Sequence, residues 1–158
     1  QKSKKSLKID DEDLSYKIFN YLKSIGFNKY EIANFSTNEK FESKHNYGYW
    51  SKDDYIGVGA GAVACIENRR MYKQKNIEKN IQNPIYADIE ELSSDDIKAE
   101  KVLLGFRCKF GVDLNILSSK ELKKVDDLVV ENRVCIKENR VYNNNFLLAD
   151  EIALYILD

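Results

Sequence analysis

Between Glu42 and Ala64 the chain reads ESKHNYGYWSKDDYIGVGAGAVA, and within these 23 residues fall its single His, its single Trp and three alternating glycines. His45 and Asn46 bring an imidazole and an amide, and Tyr49 and Trp50 bring two flat aromatic faces. Gly57, Gly59 and Gly61, followed by Ala62 and Val63, present backbone almost stripped of side chains, where a flat or phosphate-like ligand can approach closely. The competing account of His45-Asn46 and Tyr49-Trp50 is a loop lock, in which polar groups bond backbone while the rings pack beneath them. Arg69 and Arg70, with Lys73, Lys75 and Lys79, have the chemistry to hold a carboxylate or phosphate, or else form a solvated basic surface. Glu31 and Asn34 stand three apart on an expected short strand, YEIANF, so they point to opposite faces and at most one serves a given cavity.

Other chemistries find less support. GVGAGA can be aligned to a dinucleotide fingerprint through Gly57, Gly59 and Ala62, but that motif needs an apolar strand before it and a helix after it. Here SKDDY precedes and a strand-like segment follows. Cys65, Cys108 and Cys135 are 43 and 27 positions apart, which suits scattered reduced thiols rather than a disulfide framework or a metal site. Buried small apolar cysteines in a cytoplasmic protein are the expectation. A lone His with no second ligand in view does not build a metal centre, and no residue is assigned a catalytic role.

The chain has 158 residues, 43% of them apolar, enough for one domain or two small ones and too few for a complete eight-stranded α/β barrel, which takes ~250. The net charge of −1 hides an asymmetry: residues 1–87 carry 15 basic and 11 acidic side chains, residues 88–158 carry 10 and 15. An acidic second half makes nucleic acid a poor partner. The longest apolar run, Ile56 to Ile66, is 11 residues, well short of the ~20 of a membrane span. Since the chain starts at Gln1 and its one Met is Met71, it is expected to be a piece of a longer protein.

Several elements must position these residues. After a solvated QKSKKS tail, acidic residues at Asp10 or Asp11 open a helix with Leu14, Ile18, Leu22 and Ile25 on one face and Gly26 as its stop. Residues 27–35 read as a strand, 36–54 as a structured loop, and 55–58 and 63–66 as strand pieces around the glycines. Pro84 marks a boundary. Beyond it, Ser93 with Asp96 and Ser118 with Glu121 form capping boxes ahead of two helices, and Gly111 breaks the first. Residues 133–137 and 140–144 read as a hairpin turning at Glu138-Asn139. A last helix sets Leu148, Ile152, Tyr155 and Ile156 on one face. The expected fold is therefore α/β plus α+β: residues 1–87 as one domain, and 88–158 as a small winged-helix-like domain of order helix, helix, hairpin, helix.

Three ordered segments carry a resemblance: Tyr30 to Phe35 (YEIANF), His45 to Trp50 (HNYGYW) and Asp54 to Ala62 (DYIGVGAGA). Together they resemble the later part of the oxygen-independent coproporphyrinogen III oxidase family, and the HNxxYW element looks most like its haem-chaperone-type relatives. EKVLLGFRCKFGVDL, Glu100 to Leu114, is similar to that family's C-terminal domain, so the resemblance runs over about residues 12–158. It implies a radical S-adenosylmethionine (SAM) protein with a partial, TIM-like α/β barrel, a [4Fe-4S] cluster and a tetrapyrrole or haem partner. Residues 1–87 would be the C-terminal portion of that barrel, resting against an N-terminal barrel this chain lacks. The resemblance places Gly57, Gly59, Gly61, Ala62 and Val63 near SAM, and suggests Glu31, Asn34, His45, Asn46, Tyr49, Trp50 and Arg70 as substrate contacts. Val63 and Ala33 stand where chaperone-like members often carry His and Ser, which argues against a haem ligand around Val63. Lys44 replaces a common Arg, keeping the charge without the planar fork.

The cluster needs a CxxxCxxC loop, and this sequence has none, so the chain alone is expected to be inactive. The leading expectation is a part that shapes the SAM and tetrapyrrole cavity of a coproporphyrinogen oxidase-like enzyme. Haem binding and delivery is the rival within the family. From another class comes a winged-helix module for nucleic acid or protein interaction.

Overall fold

A computed structural model describes residues 11–158 of the chain. The QKSKKS tail and the helix start at Asp10 lie outside the described residues. Contacts divide the chain into two compact units, one ending at Glu42 and the other running from Ser43 to Asp158.

In the first unit, helix α1 (Asp11–Ser24) ends as its sequence asks, with Gly26 at φ 91° and Phe27 N–H donating to the Leu22 carbonyl at 2.9 Å. The helix forms, yet Leu14, Ile18 and Ile25 on its apolar stripe are exposed. The expected single strand over 27–35 is instead a small hairpin, in which β1 (Asn28–Lys29) pairs antiparallel with β2 (Phe35–Ser36). Tyr30 to Asn34 make the turn, so the Asn34 amide reaches back to the Glu31 carboxylate. The two side chains meet, contrary to the opposite-face expectation, because a turn brings together what a strand would separate. Phe19 and Phe35 stack with centroids 5.4 Å apart, and the Lys29 ammonium sits 3.6 Å over Phe19. Burial lowers the pKa of Lys29.

The second unit opens with α2 (Lys44–Trp50), within the stretch expected as loop. Two antiparallel sheets follow. In the first, β3 (Val63–Ile66), β4 (Arg69–Lys73) and β5 (Tyr86–Glu91) lie in sequence order, with the short α3 (Ile77–Gln82) between β4 and β5. The β4–β5 register sets Arg69 against Glu91 and Arg70 against Glu90, so opposite charges face each other across the ladder.

The second sheet is built with three helices: α4 (Ser94–Phe106), β6 (Val112–Asp113), α5 (Ser119–Val130), β7 (Val134–Lys137), β8 (Arg140–Asn143) and α6 (Ala149–Leu157). Both expected capping boxes are present, as is the hairpin, with Glu138 at φ 47° and Asn139 at φ 63° as a left-handed turn demands. The two-residue β6 pairs with β8 and completes a sheet of order β6-β8-β7. Most of the fully buried apolar residues sit here: Val102 and Phe106 on α4, Val125 and Leu128 on α5, Val134 and Val141 on the hairpin. On α6 the buried stripe is Ala149, Ile152, Ala153 and Ile156, while Tyr155, expected in it, is 41% exposed.

Glu121 has two tasks: it caps α5 through Ser118 and pairs with Lys98 of α4 at 2.6 Å. Asp96 only caps its own helix, at the surface. Glu121→Ala is therefore expected to cost ~1–3 kcal/mol by urea denaturation, and Asp96→Ala distinctly less.

Candidate functional site

The site is organised around α2. Ser43 Oγ accepts from the Asn46 N–H at 3.2 Å, capping a helix of only seven residues. At the other end Asp53 N–H donates to the Gly48 carbonyl at 2.8 Å and Lys52 N–H to that of Tyr49 at 3.1 Å. This closing pattern puts Lys52 in the left-handed region, φ 60°, where glycine is usual.

The Lys52 ammonium lies 2.9 Å from Glu100 of α4, with its side chain only 8% exposed. Glu100 also accepts from the Arg70 guanidinium of β4. Arg70 continues to Glu90 at 3.2 Å, and the Tyr72 hydroxyl donates to Glu90 at 2.8 Å. One carboxylate thus ties the end of α2, the first sheet and α4 together. Partial burial pushes the Glu100 carboxyl up, but hydrogen bonds from Lys52 and Arg70 outweigh it and hold it below the usual range. Burial likewise works against the Arg70 charge, and hydrogen bonds with Glu100 and Tyr72 reverse the effect, raising its pKa.

The HNYGYW residues divide between faces of α2. His45 and Tyr49, one turn apart, meet edge to face at 4.9 Å, and Tyr49 contacts Tyr55 at 5.0 Å. These three rings border a shallow cavity of about 180 Å³. Tyr49, Tyr55 and Arg70 also border a cavity of about 270 Å³ with Cys65, Glu100 and Leu103. Trp50 faces elsewhere, onto a cleft of about 540 Å³ with Phe110 and Tyr142. Tyr47 stacks on Phe110 at 4.7 Å. Tyr49 thus borders one cavity with His45 and another with Arg70, Trp50 borders neither, and Asn46 gives its backbone N–H to the cap. Glu31 and Asn34 belong to the first unit.

Two of the glycines have a backbone reason. Tyr55 and Cys65 exchange hydrogen bonds of 2.8 and 2.9 Å, closing residues 56–64 into a loop that returns to β3. A Cβ on Gly57 would lie 2.2 Å from the Val63 carbonyl oxygen, so the close approach there is made by the chain itself. Gly59, at φ 101°, has nothing within 4 Å of where its Cβ would be. Ala62 is half-buried, and Val63 pairs with Tyr72 in the ladder.

The thiols do not fit an iron-sulfur cluster. Cys65 is buried on β3 and Cys108 in the loop after α4, and no group of three metal-binding side chains occurs among the described residues. The sequence reasoning missed Lys52 and Glu100, since a left-handed Lys leaves no compositional sign. It also missed Lys101, Lys109 and Arg140 around the Trp50 cleft, which come from three separate segments.

Two outcomes follow from this geometry. Gly57→Ala is expected to lower the thermal midpoint sharply, since the obstacle is backbone, whereas Ala60→Gly changes it little. Because the Glu100 pKa is depressed in the folded chain, its contribution to stability is complete above the unfolded value of about 4.3 and is lost as pH falls through the lower folded value. Urea midpoints between pH 3 and 6 should show a weaker acid-side decline in Glu100→Gln than in the parent, from a lower plateau at pH 6.

No family model matches the chain. It is 34% identical over 113 residues to the protein named Heme chaperone HemW of Lactococcus lactis, covering 67% of this chain and 30% of that protein. It is 30% identical over 144 residues to Heme chaperone HemW of Bacillus subtilis, covering 88% and 36%. The chain thus spans about a third of the length of the curated relatives it matches. Among solved structures, coproporphyrinogen III oxidase (HemN) from Escherichia coli, described as a radical SAM enzyme, superposes with a TM-score of 0.60 over 91% of this chain and 40% of that one. At 16% identity, that likeness concerns the fold. No described helix is long and apolar enough to cross a membrane. By these likenesses the chain belongs to the oxygen-independent coproporphyrinogen III oxidase-like and haem-chaperone-like family of radical SAM proteins, of which it resembles the C-terminal part.

Proposed function

We propose that the chain serves as the tetrapyrrole-facing C-terminal part of a radical SAM protein, and that the ligand is haem, contacted by α2. The observation that carries this reading is the exposed His45 ring, set edge-on against Tyr49 at the mouth of a cavity. An accessible imidazole steadied by an aromatic neighbour suits an axial ligand to iron. The relatives that share sequence with the chain over 67% and 88% of its length are named haem chaperones, and this favours haem binding over oxidative decarboxylation of porphyrinogen propionates.

In this reading residues up to about 87 complete one side of a partial barrel whose other strands come from an N-terminal region, and residues 88–158 act as a winged-helix-like cover. The order α4-β6-α5-β7-β8-α6 with sheet β6-β8-β7 supports the second assignment. The turn from Gly59 to Ala62, exposed and nearly free of side chains, is the segment assigned to approach SAM. SAM bound to a cluster supplies radical chemistry, and this chain supplies none of the cluster's thiolates. Its own residues present rings and fix their orientation. Three unbridged cysteines are consistent with a cytoplasmic setting.

Adding haem to the full-length protein should give a shifted Soret band that His45→Ala weakens or moves, with binding loosened by about tenfold or more, the scale of one lost strong contact. A spectrum and affinity unchanged by the substitution remove His45 as the ligand.

A further inference from the structure

We infer that the cleft beside Trp50 is a second recognition site, one that takes the carboxylate-bearing edge of a planar aromatic ligand. Resting on the tetrapyrrole reading above, the inference names the part of the molecule that meets the ligand's acidic side chains. The cleft, about 540 Å³, lies on a different face of α2 from His45 and falls in the size range of small-molecule sites.

Its charges are the first argument. Lys101 comes from α4, Lys109 from the loop after it and Arg140 from the start of β8, and the acid among them is Asp113. Asp113 is occupied: its Oδ1 accepts from the Asn115 N–H at 2.9 Å and from the Asn139 amide at 3.3 Å. Arg140 differs from the chain's other four arginines. Arg69, Arg70, Arg107 and Arg133 all meet carboxylates. Arg140 donates instead to two neutral carbonyls, from Nε to Phe110 at 2.7 Å and from Nη2 to Gly111 at 3.0 Å. These bonds orient the guanidinium without cancelling its charge, and its Nη1 side stays available to a carboxylate. Asp113 faces Arg140 across the β6–β8 ladder, yet three cations line the cleft against this one acid, an excess of positive charge that an anion would complete.

Shape is the second argument. Trp50 and Tyr142 line the same cleft, so flat apolar faces adjoin the cations. That pairing selects a ring system with acidic substituents over a small inorganic anion, which would not use the rings, and over an apolar ring, which would not use the charges.

Metal-free coproporphyrin separates this site from the His45 reading, since it has carboxylates and a planar ring but no iron to ligate. Titrated into the full-length protein and followed by porphyrin fluorescence, it should bind, and its tetramethyl ester should bind at least about tenfold more weakly. Arg140→Gln should weaken binding by a similar factor. Lys101→Gln, an exposed residue whose loss leaves folding intact, should weaken it severalfold. Equal affinity for acid and ester, affinity insensitive to Lys101→Gln and Arg140→Gln, or no porphyrin binding at all would each overturn the inference. Failure of iron ligation by His45 in the haem titration would overturn the other reading and leave this one standing.

Discussion

The carboxylate of Glu100 is the point on which the site depends. It takes one hydrogen bond from Lys52, at the end of α2, and another from Arg70, in the middle of the first sheet, while its own helix is rooted in the core through Val102 and Phe106. Half-buried ion pairs contribute little net stability when replaced as a set, but removing one partner leaves the others charged and poorly solvated. The arrangement therefore specifies geometry more than it adds strength. It fixes where α2 ends relative to the sheet, and so which way Tyr49 and Trp50 face.

The helical repeat then decides what the site can do. Residues 45 and 49 fall on one side of α2, and Trp50, one position on, is turned by about 100° onto another. A motif that reads as one cluster in sequence becomes two surfaces, one presenting an imidazole among phenols, the other an indole among cations. A large flat ligand with a metal at its centre and acids at its rim has use for both kinds of surface. The E. coli oxidase superposes on this fold at low identity, so a shared scaffold is compatible with different chemistry on its surface.

Local signals in the sequence were legible where one residue type answers one backbone demand. The capping serines at 93 and 118, the Gly26 stop and the Glu138-Asn139 turn all formed as read. Glu67-Asn68 has the same left-handed turn residues, φ 49° and 65°, and closes the β3–β4 hairpin, yet it was hidden by the basic run that follows. Long-range signals were less legible. β4 and β5 are matched by charge across about twenty residues, and β6 is a strand only because β8 lies beside it. α2 spans two turns with a glycine inside, too short for a periodic pattern, and its one sign was Ser43. Of the site, the residue types were visible, but which of them share a cavity depended on the Lys52–Glu100 contact, which no spacing announces. The single strand expected over 27–35 failed because two residues on each side of a turn suffice for a hairpin there.

Lys52 holds a backbone shape that favours glycine and a charge that glycine cannot supply. A chain drifting by single substitutions is caught between the two: glycine relaxes the bend and cuts the tether, while a bulkier cation keeps the tether against the bend. Asparagine, at ease in that conformation, is too short and uncharged to reach the acid in the same way. Two unrelated demands thus meet in one residue at position 52, and the aromatic face beside it depends on both.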